Sequence, residues 1–256
     1  MNVLVIGSGA VGSFAVNYIA RLSRTQNLPL ALVLADFDTV EERNVYSQDF
    51  TFEDIGKNKA EVTAKKASEY INSITAFPEK VTPENLKSLH EEYNFDCIVI
   101  TVDNQFSRVV LNTAGTMGLK IPVLHSSINL NGTGQVSWSY FSSAKNCYRS
   151  SWPEDPDKLT AEQLTSLMSP EKTSSPPPCE LFPFVPLIQT AAMETALSLS
   201  TFIGNDLHKE VLKVLRDKGT PEETLQNLPT STKGFMLSRI ISFNTSTLTD
   251  LFHQDA

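Results

Sequence analysis

Three stretches of the sequence predict a doubly wound α/β fold, a mainly parallel sheet with an antiparallel strand extension at its C-terminal end. The first, Met1-Asn-Val-Leu-Val-Ile-Gly7-Ser-Gly9-Ala10-Val-Gly12, is an apolar run of strand type that breaks into glycines and then opens a helical pattern. The second, Leu30-Ala-Leu-Val-Leu-Ala-Asp36, reads as a parallel strand buried on both faces and ending in an acid. The third, Phe95-Asp-Cys97-Ile-Val-Ile-Thr-Val102, is another buried strand, with Asp103 and Asn104 at its carboxyl end. Ligands of open α/β sheets lie outside the carboxyl ends of the strands, so Asp36 and Asp103 are expected to share one crevice.

Taken in order, Gly7-x-Gly9-x-x-Gly12 is a Rossmann-like opening. Its glycines let the backbone turn sharply and approach a phosphate, whose charge suits the amides and dipole of the helix that follows. The motif alone fits NAD, FAD, S-adenosylmethionine and ATP folds alike, and some such turns bind nothing. Phe14, Ala15, Tyr18, Ile19 and Leu22 fall at helical spacing and predict one buried face. The acid at the tip of the second strand, Asp36, is in the position that usually holds a ribose hydroxyl.

From Asp36 through Asp38 and Asn44 to Gln48 the chain is polar and rich in groups that can contact a nucleotide or a metal. Asp54-Ile-Gly56-Lys-Asn-Lys59 then precedes a helical pattern through Ala60, Val62, Ala64, Ala67 and Ile71. Lys59 therefore stands near a helix start, either pointing into the nucleotide site or solvated at the surface. Asp38 suits a turn or cap as well as it suits a site.

Beyond it, Ile74 to Val81 reads as a strand, Pro83 to Tyr93 as a helix, and Ser107 to Met117 as another helix. Pro122 to His125 is a strand, and Gly132 to Tyr140 an alternating one with Val136, Trp138 and Tyr140 on one face. Residues 149–178 turn to Ser, Pro, Glu, Asp and Lys and read as a long crossover loop, with one short helix near Thr160 to Met168, ending directly at Cys179. Val185 to Phe202 and Asp206 to Asp217 are helical, and Phe235 to Asn244 and Thr247 to Phe252 are a closing pair of strands. With no internal repeat, residues 1–256 are expected to form a single domain.

Composition excludes several classes. Hydrophobic content of 41% and charged content of 20% are ordinary for a folded globular chain. A net charge of −8 and the lack of a basic patch argue against nucleic acid as a partner. No apolar stretch is long enough for a membrane helix, and the apolar N-terminus has no basic leader, so a cytoplasmic protein is expected. The three cysteines, Cys97, Cys147 and Cys179, are too scattered for a disulfide framework and are read as free thiols.

The ordered set of motifs resembles the ThiF/MoeB family, the adenylating fold shared with ubiquitin-activating enzymes. The matching residues are Gly7-x-Gly9-Ala10-x-Gly12, Asp36-Phe-Asp38-Thr-Val40, Asn44 with Gln48, Gly56-x-x-Lys59-Ala60, Asp103-Asn104 with Arg108, and Gly134-Gln135. Asn146-Cys147-Tyr148-Arg149 looks like the first half of the family's metal-binding Cys-x-x-Cys, and Cys179 lies in its reactive-cysteine region. The resemblance implies that the C-terminal carboxylate of a small ubiquitin-like or sulfur-carrier protein attacks the α-phosphate of ATP. The products are an acyl-adenylate and pyrophosphate. It implies further that Asp36 holds the ribose, that Asn44 and Gln48 contact phosphate or ribose oxygens, and that Lys59 neutralises phosphate charge. Asp103, beside Asn104, would carry Mg²⁺, Cys179 would take part in thioester or sulfur transfer, and the chain would be a homodimer.

Some residues depart from the family pattern. Ser47 stands where the family usually has an arginine in Asn-Leu-x-Arg-Gln, and serine cannot replace a guanidinium fork that grips phosphate. The N-terminal helix that commonly donates a second arginine across the dimer is not expected, because the chain begins at the first strand; Arg43 is a candidate substitute for one of the two charges. A structural zinc needs four ligands, and Cys147 has no Cys-x-x-Cys downstream, so no zinc is expected. Cys97 is a core thiol and His125 a structural histidine, while Arg108 either reaches the site or pairs on the surface, a structural ion pair being the preferred reading. The alternative to an enzyme is a weak or inactive relative that binds nucleotide or carrier as a scaffold or regulatory subunit. An NAD-dependent oxidoreductase is the third reading, which leaves Gly56-x-x-Lys59 unexplained.

Overall fold

The computed structural model describes residues 1–128, 133–140, 185–204, 208–209, 212 and 240–244. The crossover loop 149–178, Cys147, Cys179, the helix expected at 206–217 (apart from 208–209 and 212) and the last expected strand lie outside the described residues.

Apolar residues that alternate along a strand while all staying buried require cover on both faces of the sheet. Strand β1 (Asn2–Ile6) shows this. Val3 and Val5 join one core, and Leu4 and Ile6 the other. Strands β2 (Ala31–Ala35) and β4 (Cys97–Ile100) divide in the same way, Leu32, Leu34, Cys97 and Val99 to the first core and Val33, Ala35, Ile98 and Ile100 to the second. The first core is closed by helices α1 (Ala10–Gln26), α2 (Lys59–Ala67) and α5 (Val185–Gly204), through Val16, Ile19, Ala64, Leu199 and Phe202. Helices α3 (Pro83–Tyr93) and α4 (Gln105–Thr113) close the second, through Leu86, Leu89 and Leu111. Helices on both faces make the sheet doubly wound, as the sequence predicts.

The remaining strands are β3 (Ile74–Phe77), β5 (Val123–Ile128), β6 (Thr133–Ser139) and β7 (Ile240–Asn244), and the spatial order is β3-β2-β1-β4-β5-β6-β7. The first five are parallel; β6 runs antiparallel to both β5 and β7. The chain reverses winding direction between β1 and β4, which sets the carboxyl ends of β1, β2 and β4 around one crevice.

Several expected boundaries move. Strand β3 stops at Phe77, before the Pro78 that cannot extend a ladder. Helix α2 ends at Ala67, although Ile71 beyond it is still buried. Helix α4 begins at Gln105, two residues early, because Asn104 caps it, and it runs on into a wider π-type turn over Ala114–Leu119. Helix α1 is buried beyond one stripe, since α5 packs Ile188, Ala191 and Ala192 against its Ala10, Val11 and Ala15. Strand β6 is buried on both faces: Val136, Trp138 and Tyr140 lie in the first core, and the intervening Ser137 and Ser139 are buried too. Helix α3 is the most legible, with Thr82 and Asn85 forming a reciprocal cap, Pro83 at its first position and Asn94 left-handed at its end.

Candidate nucleotide site

The glycine turn joins β1 to α1 at the centre of the sheet. Gly7 has φ +100°, open to glycine and strained for other residues, and a Cβ at Gly12 would lie 2.1 Å from the Gly7 carbonyl oxygen. The turn is held from behind by Thr101 at the end of β4, whose hydroxyl donates to the Gly7 carbonyl at 2.7 Å. At Gly9 nothing lies within 4 Å of the place a Cβ would take, so the front of the turn faces open space. Gly9 caps α1 without a side-chain bond and the first turn carries no acid, which leaves its amides to an outside acceptor. The Ala10 methyl is buried against α5, so what this residue offers the site is its amide.

Asp36, just past β2, ties the turn to the neighbouring strand. Its two carboxylate oxygens accept from the Ser8 amide at 2.6 Å and the Asp38 amide at 2.9 Å. Burial raises its pKa above the ordinary carboxylate value; the amide bonds from Asp38 and Ser8 oppose the shift, the Asp38 charge adds to it, and Lys59 opposes it.

Lys59 is buried, with 8% exposure, which removes the reading of a solvated surface lysine. It is the first residue of α2, where the helix dipole disfavours a cation, and its Nζ is 3.7 Å from the half-exposed carboxylate of Asp38. The start of α2 is fixed by Asn58, which accepts from the Glu61 amide at 3.1 Å and donates to the Asp36 carbonyl at 2.9 Å. Ser8 and Thr63 share a buried hydroxyl bond of 2.7 Å that joins the glycine turn directly to α2. Asp36, Asp38, Lys59 and the turn are therefore one assembly.

Asn44 and Gln48 lie in the loop between β2 and α2. Asn44 is buried and caps a 3₁₀ turn (Glu42–Tyr46), its Oδ1 accepting from the Glu41 amide at 2.8 Å, so its amino group is what remains for a ligand. Ser47 is 2% exposed and Gln48 8%, and neither Ser47 Oγ nor Gln48 Oε1 has a hydrogen-bond partner among the described residues. Two adjacent buried oxygens of this kind cost stability unless something completes them. Arg43 is exposed and its guanidinium pairs with Glu41 at 2.7 Å.

Asp103 follows β4, exposed at the carboxyl edge next to the glycine turn. Asn104 spends its side-chain oxygen on the Ser107 amide at 2.9 Å as the cap of α4. Arg108 is 3% exposed, which removes the surface alternative. It lies beside His125, which bonds Asn112 at 2.9 Å; burial, then the Arg108 charge, holds His125 well below its ordinary pKa and keeps it neutral. Cys97 is fully buried, and burial followed by Asp96 pushes its thiol well above the ordinary value, in keeping with a core residue. Among the described residues no three of His, Cys, Asp and Glu gather as a metal site, and no helix is long and apolar enough to cross a membrane.

The ThiF family profile matches residues 1–247. The chain belongs to the ThiF family. It is 30% identical over 158 residues to the adenylyltransferase and sulfurtransferase MOCS3 of Drosophila virilis, a match covering 60% of this chain and 33% of that one. It is 27% identical over 162 residues to the sulfur carrier protein adenylyltransferase of Thermus thermophilus, covering 60% and 56% respectively. The chain thus spans from a third to just over half the length of these two curated relatives. The structure of E. coli MccB with ATP is similar in fold, with a TM-score of 0.58 at 22% identity over 80% of this chain and 55% of that one.

Within this ThiF-family fold, three residues of the assembly escape a reading by motif: Thr101 behind the turn, and the Ser8 and Thr63 pair. Thr101 has a weak signal, a hydroxyl directly after an otherwise apolar strand. Ser8 and Thr63 have none, because their contact joins positions 55 apart in sequence.

Proposed function

We propose that this crevice binds ATP and that the chain adenylates the C-terminal carboxylate of a small ubiquitin-like or sulfur-carrier protein. The observation that carries the reading is Lys59, a buried cation at the wrong end of a helix dipole, brought together with Asp38, Asp36 and the glycine turn at the carboxyl edge of the sheet. Such an arrangement sets an ammonium, ribose-binding acids and free helix amides around one crevice, as a nucleotide requires. Membership of the ThiF family and relatives named as adenylyltransferases support the same chemistry.

Both reactants are anions, so the protein's task is to orient them and supply positive potential where charge builds on the α-phosphate. The α1 amides and the open face at Gly9 receive phosphate, Asp36 takes a ribose hydroxyl, and Lys59 neutralises phosphate charge. Asn44 and Gln48 add contacts to phosphate or ribose oxygens. Mg²⁺ fits the residues present: it binds through one or two carboxylates with phosphate oxygens and water completing the shell, and Asp103 is an exposed carboxylate at the crevice edge. Bound there, it would screen the phosphate charges from the incoming carboxylate. Transfer to Cys179 as a thioester, or sulfur transfer through it, and assembly as a homodimer belong to the same reading.

Pyrophosphate exchange into ATP in the presence of candidate carriers tests it. Exchange should require carrier and Mg²⁺, and Lys59→Met should lower it roughly a hundredfold or more, the usual loss for a preorganised charge on an anionic transition state. No exchange from a folded, ATP-binding chain supports the second reading instead, a nucleotide- or carrier-binding scaffold, which the serine at position 47 favours. Tight NAD binding without Mg-ATP binding would return the oxidoreductase.

A further inference from the structure

The loop between β2 and α2 is closed at its neck. Thr39 and Asn58 form an isolated bridge, the Val40 amide donates to the Lys57 carbonyl at 2.8 Å, and the Gly56 amide to the Val40 carbonyl at 2.8 Å. Inside it the buried apolar cluster is small: Val40 and Phe50 against Val62 of α2. A loop with so little buried apolar surface takes its position from polar contacts instead. Two such contacts come from α1, where Asn17 donates to the Asp49 carboxylate and the Ser13 hydroxyl accepts from the Asp49 amide at 3.1 Å.

The third comes from α2 and gathers three groups on one ammonium. Lys66 Nζ donates to the Asp49 carbonyl oxygen, stands 3.4 Å from the Asp54 carboxylate and lies 5.5 Å over the Phe50 ring. Asp54 is itself fixed, accepting from the Thr51 amide at 2.9 Å and the Thr51 hydroxyl at 3.0 Å. An ammonium offers three donors without directional preference among them, which suits a contact shared by carbonyl, carboxylate and ring.

We infer that Lys66 is a positioning residue: it latches the 40–56 loop onto α2 and so sets where Asn44, Ser47 and Gln48 stand relative to α1. The functional part of this inference rests on the adenylation reading, since it takes the loop to serve bound ATP. Lys66 reaches the site through the Asp49 backbone, one residue from Gln48, and through Phe50, while Lys59 on the same helix enters the site directly. Helix α2 thereby supplies a cation to the site and holds the loop that carries Asn44 and Gln48. The alkyl stem of a methionine keeps the packing on Phe50 and removes only the ammonium.

The test uses the full chain, with amide hydrogen exchange and Mg-ATP affinity measured on wild type, Lys66→Met and Lys66→Arg. In Lys66→Met, exchange should quicken across 40–56 with β1 and β4 unchanged, and Mg-ATP should bind roughly tenfold more weakly, about one broken charge-assisted contact in scale. Lys66→Arg should restore both. Asp54→Asn keeps an oxygen for the Thr51 amide, removes the charge facing Lys66, and should loosen the same loop to a lesser degree. Unchanged exchange in 40–56 in Lys66→Met, a loosened loop with unchanged ATP affinity, or quickened exchange spread evenly through the sheet would each overturn the proposal. A wild-type chain that binds no adenine nucleotide would overturn the adenylation reading, and the latch would then be judged on exchange alone.

Discussion

Asp36 is ionised at a cost. Burial raises its pKa, so in the interval between its unfolded and folded values the folded chain holds a proton that the unfolded chain has lost. Its contribution to stability therefore grows as pH falls through the folded value toward the unfolded one, and is unfavourable above it. Function runs the other way. A protonated carboxyl can no longer accept freely from the Ser8 and Asp38 amides while also meeting a ribose hydroxyl. ATP affinity should fall with pH, at a pH above that of an unperturbed aspartate, and Asp36→Asn should bind more weakly with no titration in that interval. Calorimetric binding across the acid range checks both. Ser47 is the opposite case, a buried oxygen with no partner among the described residues. Ser47→Ala should raise stability by about 1 kcal/mol in the free chain, the scale of an unsatisfied buried hydroxyl. Denaturant unfolding with and without ATP reads the outcome, and the gain should shrink with ATP bound if the hydroxyl meets the ligand.

The elements were legible in the sequence wherever a local pattern decides them. Pro83 to Tyr93 carries its own cap, first-turn proline and left-handed end, so its limits follow from neighbours in sequence. The glycine turn is legible for the same reason, and its geometry makes a sharp prediction. In Gly12→Ala the new Cβ would fall 2.1 Å from the Gly7 carbonyl and 2.6 Å from Thr101 Oγ1, both on rigid strand ends. The turn must then move or the helix must shift, so destabilisation of about 3 kcal/mol or more is expected by thermal unfolding. Patterns that depend on what packs opposite were not legible. Two-sided burial of α1 depends on α5, which follows in sequence only after β6 and the crossover region, and the burial of Ser137 and Ser139 between the apolar residues of β6 has no local signal. At the site, Asp36 and Lys59 could be read because their spacing follows strand end and helix start, whereas the Ser8–Thr63 bond and the Lys66 latch depend on tertiary contact alone.

At the scale of the molecule, the candidate site is assembled from β1, α1, β2, the 40–56 loop, α2 and the end of β4, and all but the loop belong to the same two cores that define the fold. A ligand held by the elements of the two cores is lost when the chain unfolds, so its binding is linked to global unfolding, while the loop tunes its affinity locally. At a hundredfold excess over its dissociation constant, such a ligand contributes about 2.7 kcal/mol. For a chain of this size each kcal/mol moves the melting temperature by about 2–4 °C, so Mg-ATP should raise it by roughly 5–10 °C. Differential scanning calorimetry separates the readings by which ligand produces the shift. Mg-ATP should give it and NAD should not, whereas the reverse would revive the oxidoreductase. Asp103→Ala refines the comparison, because Asp103 is exposed and its removal leaves both cores intact. That variant should melt like wild type when free, lose the Mg-dependent part of the ATP shift, and keep the part that the glycine turn, Asp36 and Lys59 supply. A full shift without the Asp103 carboxylate would move Mg²⁺ to other groups and leave the ATP site standing.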